Sequence, residues 1–238
     1  MQGGFELVFL EDVLKEQYSV VKVYKKTDEK SIVLLRHNEL KKDIICRKFK
    51  GNSDTYKILQ NIRFKNLPDV FEVADKDGHI IVLEEFISGT TVADILSSGL
   101  YNEKGVKAVA KEVCNALIIL HSYGIVHRDV KPENIMITDE GTVKLIDFDA
   151  SRIFKNGKSK DTMIIGTAGY AAPEQLGFAQ SDERTDIFAL GVLMNVMLTG
   201  EHPTNKLYKG KMTKVIEKCI QLDPEKRYQN AEELKNFL

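Results

Sequence analysis

The chain has 238 residues, 43% hydrophobic and 29% charged, the balance expected of a soluble globular protein with ample length for a core. Its 34 Lys and Arg against 35 Asp and Glu leave a net charge of −1, which argues against a globally basic nucleic-acid binder and against a disordered acidic tail. No apolar run approaches the roughly 18 residues of a membrane span, and residues 1–16 lack a basic segment followed by an apolar one. The three cysteines, Cys46, Cys114 and Cys219, are widely spaced with no C-x-x-C pair. That pattern, without an export signal, points to reduced thiols in a cytoplasmic setting and away from disulfides or structural zinc.

Leu7, Leu10 and Leu14 give residues 5–16 a helical spacing ahead of a strand-rich region. Strands over 18–24 and 31–37 are predicted from β-branched residues, with Thr27-Asp28-Glu29-Lys30 turning between them. A third strand covers 43–49, and Gly51-Asn52-Ser53-Asp54 offers capping chemistry to a short helix ending near Ile62. Two more strands, 70–73 and 79–84, flank the turn Asp75-Lys76-Asp77-Gly78. After Gly89 the period changes, and Val109, Val113, Ala116, Leu117 and Leu120 make 108–121 an amphipathic helix. Short strands at 135–138 and 143–146 flank Asp139-Glu140-Gly141, and a very apolar helix at 186–198 precedes shorter helices to the end. Strands first and helices later read as an α+β protein of two lobes, residues 1–86 and 87–238. Between Lys22 and Lys50, ten basic and four acidic residues leave a local balance of +6. This is either the solvated face of a small sheet or a basic rim that steers an anionic ligand.

The chemistry concentrates in His127-Arg128-Asp129-Val130-Lys131-Pro132-Glu133-Asn134, followed thirteen residues after Asn134 by Asp147-Phe148-Asp149. Two carboxylates, a carboxamide and an ammonium thus stand on loops flanking a β-hairpin. Asp147 and Asn134 are hard oxygen ligands suited to Mg²⁺, which takes few protein groups and keeps phosphates and water in its shell. Asp129 can accept a proton from an incoming hydroxyl, and Lys131 can neutralise charge on a phosphoryl group in transit. Phosphoryl transfer needs little beyond such positioning and charge cancellation.

In this order and spacing the chain resembles a eukaryotic-type Ser/Thr protein kinase domain over about residues 18–238. Gly166-Thr167-Ala168-Gly169-Tyr170-Ala171-Ala172-Pro173-Glu174 matches the end of an activation segment, Asp186-Ile187-Phe188-Ala189-Leu190-Gly191 the buried helix whose Asp holds the catalytic loop, and Asp223-Pro224-Glu225-Lys226-Arg227 the late motif whose Arg pairs with Glu174. Asp147-Phe148-Asp149 and the run from Gly177 to Ile187 also resemble kinases of bacteria, Gram-positive ones in particular. The resemblance implies a bilobal kinase fold, ATP and Mg²⁺ as cofactors, and a protein substrate with Ser or Thr hydroxyls, this chain included. It implies neither a nucleic-acid partner nor a membrane span. It makes Lys48 the strand cation on the α- and β-phosphates and puts Cys46, on the same strand face, over adenine. It gives Glu85 and Ile87 backbone bonds to adenine, places Met136 under the ring, and joins Thr167 to Asp129, Lys131 and the substrate. Arg128 would meet a phosphate on the activation segment, for which Thr162 is the best acceptor.

Five departures accompany this pattern. The first hairpin has no glycine, so backbone amides approach phosphates less closely. The place of the usual Lys-pairing Glu falls on Thr55, Asp149 replaces the glycine of D-F-G, Glu84 stands in the gatekeeper place, and only eleven residues separate Pro203 from Val215. The two functions to weigh are an active Mg-ATP-dependent Ser/Thr kinase and a pseudokinase scaffold that acts by binding a partner. A small-molecule kinase of related fold is a third. The missing helix carboxylate suggests that Glu84 and Lys48 form a buried ion pair in its stead; the alternatives are that Asp54, adjacent to Thr55, supplies the partner or that Glu84 points to solvent at a loose strand end.

Overall fold

The computed structural model describes residues 2–154, 167, 169–176 and 180–238, without the side chains of 2–9 and 176. They fall into two compact units, Met1–Phe64 with Pro68–Ile87 and Lys65–Leu67 with Ser88–Leu238. In the first unit, helix α1 (Gln2–Gln17) precedes strands β1 (Tyr18–Lys26), β2 (Lys30–His37) and β3 (Asp43–Lys50), the short helix α2 (Asp54–Leu59), and strands β4 (Val70–Lys76) and β5 (His79–Glu85). The strands form one antiparallel sheet in the order β1-β2-β3-β5-β4. The glycine-free first hairpin closes through a hydroxyl: Thr27 N–H donates to Lys30 O at 2.8 Å, and Lys30 N–H donates to Thr27 Oγ1 at 3.0 Å. Between β4 and β5 the turn is two residues, Asp77 (φ +53°) and Gly78 (φ +75°), the left-handed pair that matches strand twist. Helix α2 ends at Leu59 rather than near Ile62. Its first turn is capped by Asn52, whose Oδ1 accepts from Asp54 N–H at 2.6 Å, while Ser53 Oγ donates to Asp75 instead.

Strand alternation gives this sheet two different faces. The register sets Cys46 opposite Leu83 and Lys48 opposite Ile81, but Ile45 opposite Glu84 and Arg47 opposite Val82. Helix α1 covers the face of Cys46 and Lys48: its Leu14 is buried with Leu35, Ile44, Cys46, Ala74, Ile81 and Leu83, and Leu10 packs against them. Phe49, on the face of Arg47, meets Tyr56 of α2 with ring centroids 5.6 Å apart.

The second unit contains β6 (Gly89–Thr91), α3 (Val92–Ser98), α4 (Glu103–Ser122), β7 (Ile125–Val126), β8 (Ile135–Thr138), β9 (Val143–Leu145), β10 (Arg152–Ile153), α5 (Glu183–Thr199), α6 (Thr213–Cys219) and α7 (Ala231–Asn236). Strands β6, β8 and β9 form one small sheet, and β7 pairs with β10. Asn102 Oδ1 caps α4 by accepting from Gly105 N–H at 2.9 Å. The stripe of Val106, Val109, Val113, Leu117 and Leu120 is buried. Helix α5 is buried on nearly every side, capped by Asp182 at its start and ended by Gly200 in the left-handed conformation (φ +76°). It lies close to α6 at Gly191, where an added Cβ would stand 2.4 Å from Cys219 Cβ. Lys65–Leu67 is built into this unit by Asn66: its Nδ2 donates to Val143 O at 2.7 Å and Glu112 Oε2 at 2.8 Å, and its carbonyl accepts from Leu145 N–H at 2.9 Å. No described helix is long and apolar enough to cross a membrane.

All three cysteines are free and buried, and burial pushes Cys46 up to about 11 and Cys114 up to about 12, so neither is a thiolate nucleophile.

Residues 201–212 carry no helix. They are strapped instead to Asn195 of α5, which is fully buried: its Nδ2 donates to Glu201 O and Lys206 O, both at 2.8 Å, and its Oδ1 accepts from Tyr208 N–H at 2.9 Å. Asn195→Ala is therefore expected to cost about 1–3 kcal/mol, measured by urea unfolding, and to expose the peptide bonds of 201–208 to protease.

Candidate active site

Asp186, on the first turn of α5 and wholly buried, organises the loop after β7. Its Oδ1 accepts from Arg128 N–H at 2.7 Å, its Oδ2 from His127 N–H at 2.9 Å, and His121 Nε2 lies 2.8 Å from Oδ2. Burial raises this carboxyl, but the partners outweigh it and hold it below its ordinary value. Arg128 sits in the left-handed region (φ +68°), a cost that the two anchored amides offset. Gln175 Nε2 donates to Arg128 O at 2.9 Å, so the residue is gripped at both its N–H and its C=O.

With that backbone fixed, Asp129 meets three partners. Thr167 Oγ1 donates to its Oδ1 at 2.7 Å, while Lys131 Nζ and Asn134 Nδ2 reach Oδ2 at 2.8 Å. Lys131 Nζ also donates to Thr167 Oγ1 at 2.6 Å. Burial raises the Asp129 carboxyl, but the bonds from Lys131 and Thr167 prevail and lower it, so it is ionised at neutral pH. Asn134 Nδ2 is committed to Asp129 O and Oδ2, both at 2.8 Å, which fixes the amide so that Oδ1 is the atom turned elsewhere.

His127 ties the second loop to the first. Its ring is fully buried, meets Phe148 edge-on at 5.2 Å between centroids, and lies 3.2 Å from Ile146 O by Nε2. Ile146 N–H donates to Asn134 O at 2.9 Å. Asp147 follows in the left-handed region (φ +66°). Burial lowers the His127 pKa against the pull of Asp186, Asp129 and Asp147, so the ring is neutral. The donor set around Asn134 and Asp147, one amide oxygen and one carboxylate, fits Mg²⁺, which asks for hard oxygens and few of them.

Beyond the catalytic loop, Glu174 takes a two-pronged ion pair from Arg227, at 2.7 and 2.9 Å, and a bond from Thr185 Oγ1 at 2.9 Å. The pair is buried, with side-chain exposures of 0% and 5%. Met136 is on β8, opposite Thr91 and Lys144. Thr162 lies outside the described residues.

In the first unit the ion pair anticipated between Glu84 and Lys48 does not form. Strand alternation puts them on opposite faces. Glu84 instead pairs with Arg47, Nε to Oε1 at 2.6 Å, both nearly buried, and Lys48 pairs with Glu11 of α1 at 2.6 Å. Glu11 was legible in principle: it falls on the helical stripe of Leu7, Leu10 and Leu14, and a carboxylate on an apolar stripe asks for a cation. Cys46 lies in the core under α1. Asp54 is exposed and Thr55 buried. Glu85 N–H donates to Asp69 O at 2.8 Å, and its carboxylate accepts from Asp69 N–H at 3.0 Å.

The family model described as "Protein kinase domain" matches residues 15–238. A "Probable serine/threonine-protein kinase" of Clostridium perfringens is 29% identical over 98% of this chain and 36% of its own length. A second, of Clostridium acetobutylicum, is 30% identical over 87% of this chain and 35% of its own. "Serine/threonine-protein kinase PknL" of Mycobacterium tuberculosis is 42% identical over 54% of this chain and 33% of its own. The chain therefore spans about a third of the length of these curated relatives.

Two outcomes follow from the buried charges. Arg227→Met strands Glu174 and is expected to lower stability by about 3–5 kcal/mol, whereas Arg227→Met/Glu174→Leu, which removes both charges, recovers most of it; urea unfolding reads both. His127 resists a proton when folded and accepts one when unfolded, so stability falls as pH drops below about 6.5. The carboxyls of Asp129 and Asp186, lowered in the folded state, add a further loss below about pH 4. Unfolding midpoints that stay level from pH 8 to pH 3.5 would contradict this.

Proposed function

The chain belongs to the protein kinase domain family, with serine/threonine kinases as its relatives, and we propose that it transfers the γ-phosphoryl group of Mg-ATP to Ser and Thr hydroxyls of proteins, itself among them. The observation that carries this reading is the cluster around Asp129, whose carboxylate meets Thr167 at 2.7 Å and Lys131 and Asn134 at 2.8 Å, with Lys131 also 2.6 Å from Thr167. A scaffold that only binds partners has no use for an ionised carboxylate held between an ammonium and a hydroxyl at the end of an activation segment.

In this mechanism Asp129 orients the incoming hydroxyl and takes its proton, in the place where Thr167 Oγ1 and Lys131 Nζ now hold the carboxylate. Lys131 is then close enough to neutralise charge on the phosphoryl group as it moves. Asn134 Oδ1 and the Asp147 carboxylate would hold Mg²⁺, which when bound cancels charge on the phosphates. The carbonyl of Glu85 and the backbone of Ile87 would contact adenine, and Met136 would pack against it. His127 and Asp186 touch no substrate; they hold the loop in the shape the reaction needs.

The test is phosphoryl transfer from labelled Mg-ATP to a generic basic protein and to the chain itself, with acceptor sites mapped by mass spectrometry. Asp129→Asn is expected to lower turnover by about 10²-fold or more with nucleotide binding nearly intact. Asp147→Asn is expected to raise the Mg²⁺ concentration needed for half-maximal rate. Undiminished turnover in Asp129→Asn would remove that residue from the mechanism.

A further inference from the structure

We propose that His202 is a positioning residue for the protein acceptor: its ring grips the turn closed by Thr167, Tyr170 and Ala171, and through Thr167 that turn sets how Asp129 meets an incoming hydroxyl. This deepens the kinase reading and rests on it. The argument begins where α5 ends. Gly200 reverses the chain in the left-handed conformation (φ +76°), and hydrogen bonds fix the backbone that follows. Glu201 N–H donates to Thr199 Oγ1 at 3.1 Å, and Glu201 O accepts from Asn195 Nδ2 at 2.8 Å. His202 O accepts from Asn205 N–H at 2.9 Å and from Lys206 N–H at 3.0 Å, and Pro203 adds a ring-locked φ. His202 thus projects from a backbone held on both sides.

Both of its ring nitrogens are engaged. Thr204 N–H donates to Nδ1 at 3.2 Å, and Thr204 Oγ1 lies 2.7 Å from the same atom. A backbone amide can only donate, so Nδ1 carries no proton and the ring's N–H is on Nε2. Nε2 donates to Gly169 O at 2.7 Å. One nitrogen therefore orients the ring and the other grips the end of the activation segment. Gly169 is itself left-handed (φ +92°), and the chain after it folds back, Tyr170 N–H and Ala171 N–H donating to Thr167 O at 3.0 and 3.1 Å. Thr167 Oγ1 in turn donates to Asp129 Oδ1 at 2.7 Å and accepts from Lys131 Nζ at 2.6 Å. Two hydrogen bonds and one turn separate His202 from the carboxylate that the kinase reading makes the base. The bond to Gly169 is exposed, where water replaces a lost partner at little cost to stability. Its worth is in placement, because a shift of about 1 Å far from the chemistry is enough to slow a reaction. His202 itself touches no substrate.

The experiment measures transfer from labelled Mg-ATP to histone, varying each in turn. Beside it, amide hydrogen exchange at Tyr170 and Ala171 is read by mass spectrometry, which needs no activity. In His202→Ala the KM for histone should rise about tenfold while the KM for ATP stays within about twofold of wild type. A mere loss of folded molecules lowers kcat and moves neither KM. His202→Gln should recover most of the wild-type value, since its amide nitrogen takes the place of Nε2; His202→Asn, which reaches only as far as Nδ1, should not. Exchange should quicken in the Ala and Asn variants and not in Gln. Should His202→Ala not fold, the Gln and Asn pair decides. A histone KM unchanged in His202→Ala, or Gln no better than Asn, overturns the proposal and leaves the kinase reading standing. Faster exchange with unaltered transfer does the same, being the mark of a latch that does not bear on the acceptor. A wild-type chain that transfers nothing sinks the kinase reading and this proposal with it.

Discussion

A single buried carboxylate, Asp186, sets the backbone on which the candidate site is built. It receives the N–H groups of His127 and Arg128, and without it two buried donors would have no acceptor, each a loss of about 1–3 kcal/mol. The peptide it grips is gripped again from the far side by Gln175. Gln175 adjoins Glu174, which Arg227 and Thr185 hold, and Thr185 adjoins Asp186. The loop, the end of the activation segment, the start of α5 and the late Arg motif thus form a closed circuit of polar contacts. Two non-glycine residues, Arg128 and Asp147, occupy left-handed conformations inside or beside it. Strain of that kind persists only where the surroundings over-determine the backbone, and the circuit supplies that constraint.

The other governing constraint is the period of a strand. Successive side chains alternate, so sliding an assignment by one residue moves a side chain to the opposite face of the sheet. On β3 two cations are adjacent in sequence, and everything that distinguishes them lies across the sheet: Glu84 on one side, Glu11 and the α1 leucines on the other.

The elements were legible wherever a local pattern decides them. The stripe of α4, the apolar run of α5 and the Thr27 turn each announce themselves within a few residues, and so does the catalytic loop, whose motif fixes both residue types and spacing. The site network of Asp129, Lys131 and Thr167 was also legible, since the activation-segment motif names the threonine. What failed was pairing at a distance. Both faces of β5 could be sorted from its alternation, yet nothing in the sequence says whether Glu84 stands opposite residue 45 or 46 of β3, and that register decides its partner. Glu11 is separated from Lys48 by two strands and two turns. The straps of Asn195 and Gln175 were likewise invisible, because an amide that satisfies distant backbone groups has no sequence pattern of its own.

Asn66 has a consequence for how the chain can be divided. The three residues Lys65–Leu67 belong to the second unit, though residues on both sides of them belong to the first, and Asn66 binds Val143, Glu112 and Leu145 with both its side chain and its carbonyl. A single cut after Ile87 therefore does not yield two whole halves. The C-terminal piece would lack one edge of its own small sheet's hydrogen bonding, with the Val143 carbonyl and the Leu145 amide left for water to satisfy. The second unit is therefore complete only with three residues that lie more than twenty positions ahead of its main body in the chain.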